Sequence, residues 1–279
     1  MSAPPPLTDR AALAQHRRRA ERLGMASFLL DLAADEIQER LSEVNRQFTE
    51  VAVVTGHPAF WRTRFPAARI VADGDILDLA PESHDLVVHA FGLHWANDPV
   101  GQLVQARRAL RPDGLLLCVS FGGQTLSELR AALAEAEVAL SGGLSPRVLP
   151  MGEIRDLGGL LQRAGFALPV ADSVTQSVTY ETPFALFRDL RALGETNAMT
   201  ERARRTPRQL FDTAARVYSR AFADGVRVRA TFELVFLTGW SPDESQQKPL
   251  RPGSARSRLA DALNAFELPA GDSVPLRRD

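Results

Sequence analysis

The side chains best placed for chemistry sit where short apolar runs end. Leu86-Val87-Val88-His89-Ala90-Phe91 gives way to Gly92-Leu93-His94-Trp95, and Leu115-Leu116-Leu117-Cys118-Val119 gives way to Phe121-Gly122-Gly123-Gln124. Upstream, Val51-Ala52-Val53-Val54 leads into Thr55-Gly56-His57-Pro58, and the run Ala68 to Ala72 ends at Asp73. Short apolar runs bounded by turn signals read as buried strands. Ligands of parallel sheets sit beyond the carboxyl ends of the strands, so Phe91 to Trp95 and Phe121 to Gln124 mark the functional edge. His94-Trp95 can shape a substrate pocket there; the alternative is that Trp95 caps the core. The five histidines His16, His57, His84, His89 and His94 show neither H-x-D nor H-x-x-x-H spacing. Hydrogen-bonded or solvated structural roles are therefore expected for them, and no metal site. An oxygen-dependent reaction would need iron or another redox centre, and no ligand set for one is visible. There is no Ser/His/Asp grouping, P-loop or zinc spacing, and no residue is marked out as a catalytic acid, base or nucleophile.

The elements that must position these residues follow from the same patterns. Between the strands at 86–91 and 115–119, the apolar positions Val100, Leu103, Val104, Ala106 and Leu110 have helical spacing. Arg111-Pro112-Asp113-Gly114 ends that helix, with glycine taking the left-handed cap. Strand, crossover helix and strand form a right-handed parallel βαβ unit. Upstream, Arg10 to Leu23 reads as a helix, and Met25 to Phe48 as an amphipathic one that needs a body to pack on. Pro58 suits the first turn of a helix over Ala59 to Phe65. Downstream, helices are expected over Gln124–Leu140 and Gly152–Ala164, then extended sequence to Tyr180. Two polar helices, split near Thr206-Pro207, fill 183–223. Arg229 to Trp240 is the last strand, and a small helix over Arg256–Phe266 follows a polar loop.

The chain has 279 residues, 45% hydrophobic content and a net charge of −1. That suffices for a large α/β domain and provides no global field to draw it to nucleic acid. The single cysteine, Cys118, lies within an apolar strand and is expected to be buried and inert. The start MSAPPPLTDR has no apolar signal core, and no run of apolar residues is long enough to span a membrane. A soluble, cytoplasmic protein is expected. Arg17-Arg18-Arg19 reads as a solvated helix face, with an acidic partner or peripheral contact with a lipid surface as the alternative.

The central block, ADGDILDLAPESHDLVV followed by LHWANDP, LRPDG and GGQTLSELR, resembles the class I S-adenosylmethionine-dependent methyltransferases. Within them it resembles the methyltransferase-like group that includes the mitochondrial complex I assembly factor acting as an arginine hydroxylase. It is more distantly similar to the malonyl-carrier-protein methyltransferase of biotin synthesis. The likeness continues through GGLSPRV, DLGGLLQRAGF, RDLRALGETNA, ATFELVFLTGW and SQQKPLRPGSA. It implies a Rossmann-like fold: a parallel sheet with an antiparallel last strand, N-terminal helices and a helical insertion. The corresponding divisions are a disordered 1–9, a helical cap over 10–50, a methyltransferase-like domain over 51–240 with the insertion at 181–223, and a tail over 241–279. The resemblance also implies S-adenosylmethionine as cofactor, with Gly56, Asp73, Gly74, Phe91 and His94 lining its site and Asp73 on the adenine. In this family such insertions close over the pocket or meet a protein substrate, which places Glu195, Asn197, Arg202, Arg204 and Arg205 near it; a charged surface helix is the plainer reading. The implied partner is a protein substrate or assembly partner, as in respiratory complex I biogenesis.

The cofactor loop departs from that pattern. Family members carry an acidic residue at the end of the first strand and a glycine-rich loop whose bare backbone approaches the ligand. Here the stretch is VAVVTGHPAFW, with no acid, one glycine, a proline that has no N–H, and the bulk of His57 and Trp61. Only 17 residues separate Gly56 from Asp73. A single crossover takes at least about 10–12 residues, so one βα unit, with the carboxylate that grips the ribose diol, is missing. Asp73 is spaced to take over that role. A charge-assisted contact of this kind contributes about 1.5–3 kcal/mol. Weak or absent cofactor binding is therefore expected, with Trp61 or His57 filling the cleft if the protein is a scaffold and the cleft open if it is an enzyme.

Overall fold

The computed structural model describes residues 5–202 and 206–246. The chain divides into a compact unit, Met1–Glu244, and a second one, Ser245–Asp279. The expected helix at 256–266 lies outside the described residues, as do Arg204 and Arg205. The order of elements in the first unit is α1 (Arg10–Leu23), α2 (Phe28–Glu43), β1 (Val51–Thr55), α3 (Pro58–Arg64), β2 (Arg69–Ala72), β3 (His84–Ala90), α4 (Pro99–Ala109) and β4 (Leu110–Phe121). Then come α5 (Ser127–Ser141), α6 (Ile154–Ala164), β5 (Ala167–Tyr180), α7 (Pro183–Leu193), α8 (Arg208–Ala221), β6 (Ala223–Asp224) and β7 (Arg227–Trp240).

The strands form one sheet in the order β2-β1-β3-β4-β7-β5, with the two-residue β6 paired to β7. Strands β2, β1, β3 and β4 are mutually parallel, and β7 runs antiparallel to both β4 and β5. This is the expected class I methyltransferase arrangement with one unit fewer: β2, which ends just before Asp73, lies directly beside β1. Side chains alternate across the sheet, as strand geometry requires. Leu86, Val88 and Ala90 of β3, with Leu115, Leu117 and Val119 of β4, join a core shared with α2, α5, α7 and α8. Val87, Leu116 and Cys118 face the other way, onto α4 and α6. Both faces are thus covered, which is why β3 reads as an unbroken apolar run.

Several boundaries differ from the sequence reading, each for a local reason. Helix α2 stops at Glu43 because Val44 is extended, yet Val44 and Phe48 still pack on the same core, so the apolar periodicity outlasts the helix. Helix α5 starts at Ser127, not Gln124: Leu126 is left-handed (φ 56°) and Thr125 is tied to Glu233 by hydrogen bonds in both directions. After α4 the left-handed residue is Asp113 (φ 59°), not Gly114, and the turn belongs to the start of β4. Trp61 is not in the ligand cleft; it is fully buried in the core with its ring stacked on Phe65.

Candidate functional site

Helix α1 approaches the carboxyl ends of β1, β2 and β3 and is fastened at its start. The Asp9 side chain caps it by accepting from the Ala12 N–H, and the Asp9 carboxylate also pairs with Arg202 at 2.9 Å. Thr8 and Met199 form a β-bridge, and the Thr8 N–H donates to Asn97 Oδ1 at 2.8 Å. Ala12 and Leu13 pack in a small cluster with Trp95, Leu149, Ala198 and Met199. One turn beyond Leu13 the same face carries Arg17, which is buried. The Arg17-Arg18-Arg19 run is therefore not a solvated face throughout: Arg18 and Arg19 are exposed and Arg17 points inward.

The Arg17 guanidinium fills the cleft that the sequence assigns to the cofactor. It lies over Gly56 so closely that a Cβ there would coincide with it. Nη1 donates to Asp73 Oδ2 at 2.8 Å, and Nη2 donates to the Phe91 carbonyl at 3.3 Å and lies 3.5 Å from Glu195 Oε1. Arg10 reaches the other oxygen of Asp73 at 3.0 Å and also donates to its carbonyl. Burial would raise the Asp73 carboxyl, but the charges of Arg17 and Arg10 hold it below its ordinary range. The strand end is tight: a Cβ on Gly92 would come within 2.7 Å of the Asp73 Cβ. Phe91 itself is left-handed (φ 53°), a conformation that costs a non-glycine residue about 1–2 kcal/mol and here aims its carbonyl at the guanidinium.

Glu195 is the hub of the site, although its sequence position suggested a surface charge. Helix α7 ends in left-handed Gly194, and the Glu195 N–H bonds back to the Leu190 carbonyl, closing the helix and turning the glutamate inward. Oε1 meets Arg17 and His57 Nε2 (3.4 Å); Oε2 meets His94 Nε2 (3.2 Å) and accepts from the Trp95 indole. An ionised carboxylate only accepts, so both imidazoles present Nε2–H to it. Burial opposes the charge of Glu195, yet the hydrogen bonds from His57 and His94 and the Arg17 charge hold its carboxyl well below the usual range. On the other ring nitrogen His94 meets Ser120 Oγ at 3.2 Å.

The sequence-assigned residues are brought together unevenly. Gly56, Asp73 and Phe91 surround the Arg17 guanidinium, and His94 joins them through Glu195. Gly74 is held from behind: Gln102 of α4 donates to its carbonyl at 2.7 Å and to that of Asp73 at 3.2 Å, while His89 meets Gln102 Oε1 at 2.9 Å. Asn197 braces the loop after α7 by donating to the Pro146 carbonyl at 3.1 Å. Trp61 does not fill the cleft, and His57 is buried at its edge against Glu195. Arg17 fills it, and the residues present do not fit S-adenosylmethionine while it stays. Among the described residues, no group of three or more His, Cys, Asp or Glu is placed to hold a metal ion.

Sequence comparison matches residues 30–118 to the methyltransferase domain family. The chain is 38% identical over 195 residues to the mitochondrial arginine-hydroxylase NDUFAF5 of Homo sapiens, covering 69% of this chain and 56% of that protein. It is 38% identical over 182 residues to the Dictyostelium discoideum NDUFAF5, covering 64% of this chain and 42% of that protein. To the malonyl-[acyl-carrier protein] O-methyltransferase of Laribacter hongkongensis it is 37% identical over 187 residues, covering 67% and 61% respectively. The chain thus spans roughly half the length of the curated relatives it matches. A solved SAM-dependent methyltransferase from Thermotoga maritima superposes with a TM-score of 0.42 at 15% identity, over 83% of this chain and 98% of that one. Strand order, domain match and relatives agree: residues 30–118 match the methyltransferase domain family within a sheet of the class I methyltransferase arrangement, and the chain is related in sequence to the NDUFAF5 arginine hydroxylases and to the malonyl-carrier-protein O-methyltransferases.

Proposed function

We propose that this chain is a methyltransferase-like protein acting on a protein partner, with a cofactor site that is degenerate and closed by its own Arg17. The observation that carries this reading is the guanidinium seated over Gly56 between Asp73 and Glu195. A cofactor entering beside Gly56 must first expel a cation held by two buried carboxylates, and removing one partner of such a pair costs about 3–5 kcal/mol. That alone lowers affinity by about two to three and a half powers of ten, at about 1.4 kcal/mol for each. The loop offers little in return, because Pro58 has no N–H and the His57 ring is turned to Glu195. Calorimetric titration of the full chain with S-adenosylmethionine tests this. Negligible heat from the wild type and measurable binding by Arg17→Ala are expected, whereas a micromolar dissociation constant for the wild type overturns it.

A second reading is favoured by what occupies the cleft. Two carboxylates and a carbonyl that seat the arginine of α1 form a receptor for a guanidinium, and the relatives named arginine hydroxylases act on that side chain. On this reading α1 withdraws and an arginine of a partner protein takes the place of Arg17, whether for modification or for assembly without catalysis. Arg17→Ala should then bind an arginine-containing peptide at least about tenfold more tightly than its lysine counterpart, since only the planar fork serves both carboxylates. Equal affinity for the two peptides rules this out.

A further inference from the structure

Glu195, Trp95 and Phe121 also contribute to the wall of a separate cavity of about 330 Å³, at the small end of the range that takes low-molecular-weight ligands. Arg17 is not among its lining residues, so an occupant leaves the guanidinium seat undisturbed. Its body is hydrocarbon: Leu126, Leu129 and Leu133 with Phe187, Phe211 and Phe232.

The charge of the lining is one-sided. Arg19, Arg147, Arg191 and Arg202 all border it, against the single carboxylate of Glu195, which is already taken up by Arg17, His57, His94 and Trp95. Arg147 is balanced by Glu137 and Arg202 by Asp9. The side chains of Arg19 and Arg191 are exposed and have no ion-pair or hydrogen-bond partner among the described residues. Two buried nitrogens of lining residues, Arg147 Nε and His16 Nδ1, likewise lack a partner.

We propose that this cavity binds a single-chain amphipathic anion, its hydrocarbon body among the leucines and phenylalanines and its carboxylate or phosphate head on Arg19 and Arg191. A neutral lipid would make no use of these two cations, and a two-chain lipid exceeds the volume.

The test is calorimetric titration of the full chain with decanoate, decyl phosphate and decanol, each below its micelle concentration, on the wild type and on an Arg19→Gln/Arg191→Gln double variant. Both substitutions fall on exposed side chains outside the Glu195 hub. At least one anion should bind about tenfold or more tightly than decanol, and the double variant should erase that preference while leaving decanol affinity unchanged. Preference for decanoate assigns the head group as a carboxylate, and preference for decyl phosphate as a phosphate. Failure of both anions to bind, equal binding of decanol by the wild type, or an anion preference that survives in the double variant overturns the proposal.

Discussion

The site is held by charge compensation among a few buried side chains. Arg17 is pressed down by burial and lifted by Glu195 and Asp73, which win and keep it charged. Its Nε is buried without a partner, so the seat satisfies only part of the guanidinium; an orphaned donor of this kind costs about 1–3 kcal/mol. Arg17→Ala should destabilise the fold by about 3 kcal/mol at neutral pH, because it leaves Glu195 and Asp73 buried with less compensation. Urea unfolding checks this, and a loss below about 1 kcal/mol would mean that the cluster relaxes to water. The acid limb of stability follows from the same groups. Asp73 and Glu195 both titrate below their ordinary values in the folded chain. Their contribution is therefore complete above the unfolded carboxylate range, near 3.8 and 4.5, and is lost as pH falls through the lower folded values. Glu195→Gln should unfold more readily than the wild type at pH 7, and the gap should narrow as both are acidified below about pH 4. A gap that stays constant with pH would show that Glu195 acts by shape and not by charge.

At the scale of elements, one glycine decides how closely α1 can approach. Gly194 is left-handed (φ 85°), and a Cβ there would lie 3.1 Å from the Arg17 Cα. Gly194→Ala should cost about 1–2 kcal/mol from backbone conformation alone, and it should also push α1 away from Glu195. Limited trypsin digestion reads the second effect as faster cleavage at the exposed Arg18 and Arg19; unchanged digestion would show that α1 tolerates the displacement. The end of α5 has its own clasp, where Arg147, the Ser145 hydroxyl and the Ser145 N–H converge on Glu137 and hold its carboxyl down to about 2. Glu137→Gln should loosen residues 142–147, seen as faster amide exchange there. The central strands β1, β3 and β4 were legible in the sequence because they are buried on both faces and read as plain apolar runs. The shortened first half was legible too, since the count from Gly56 to Asp73 leaves no room for another unit. The plug was not, because its partners lie 56 residues away at Asp73 and further still at Glu195, and no local pattern links them. A weaker signal existed: Leu13, Arg17 and Ala20 fall on one helical face, so a cation in line with apolar residues marks a charge that must find a buried partner.

Over the first unit as a whole, stability is graded, and the gradient sets how the cleft opens. Residues Ala52 to Val54 of β1 and Leu115 and Leu116 of β4 are fully buried, whereas α1 is anchored by a small apolar cluster, two aspartates and one glutamate. Helices fixed by few apolar contacts open sub-globally at lower free energy than the central strands. Native-state hydrogen exchange should therefore show the amides of α1 opening well before those of β1, β3 and β4, as one cooperative step that includes the bridge from Thr8 to Met199. The same experiment with saturating S-adenosylmethionine separates the two states of the cleft. If the cofactor cannot displace Arg17, exchange in α1 stays as it was. If it can, α1 loses protection while Gly56 and the end of β1 gain it, because a ligand that binds only the open form shifts the population towards it. Protection of α1 equal to that of the central strands would show that the plug leaves only on global unfolding, and the cleft would then be permanently closed to cofactor and partner arginine alike.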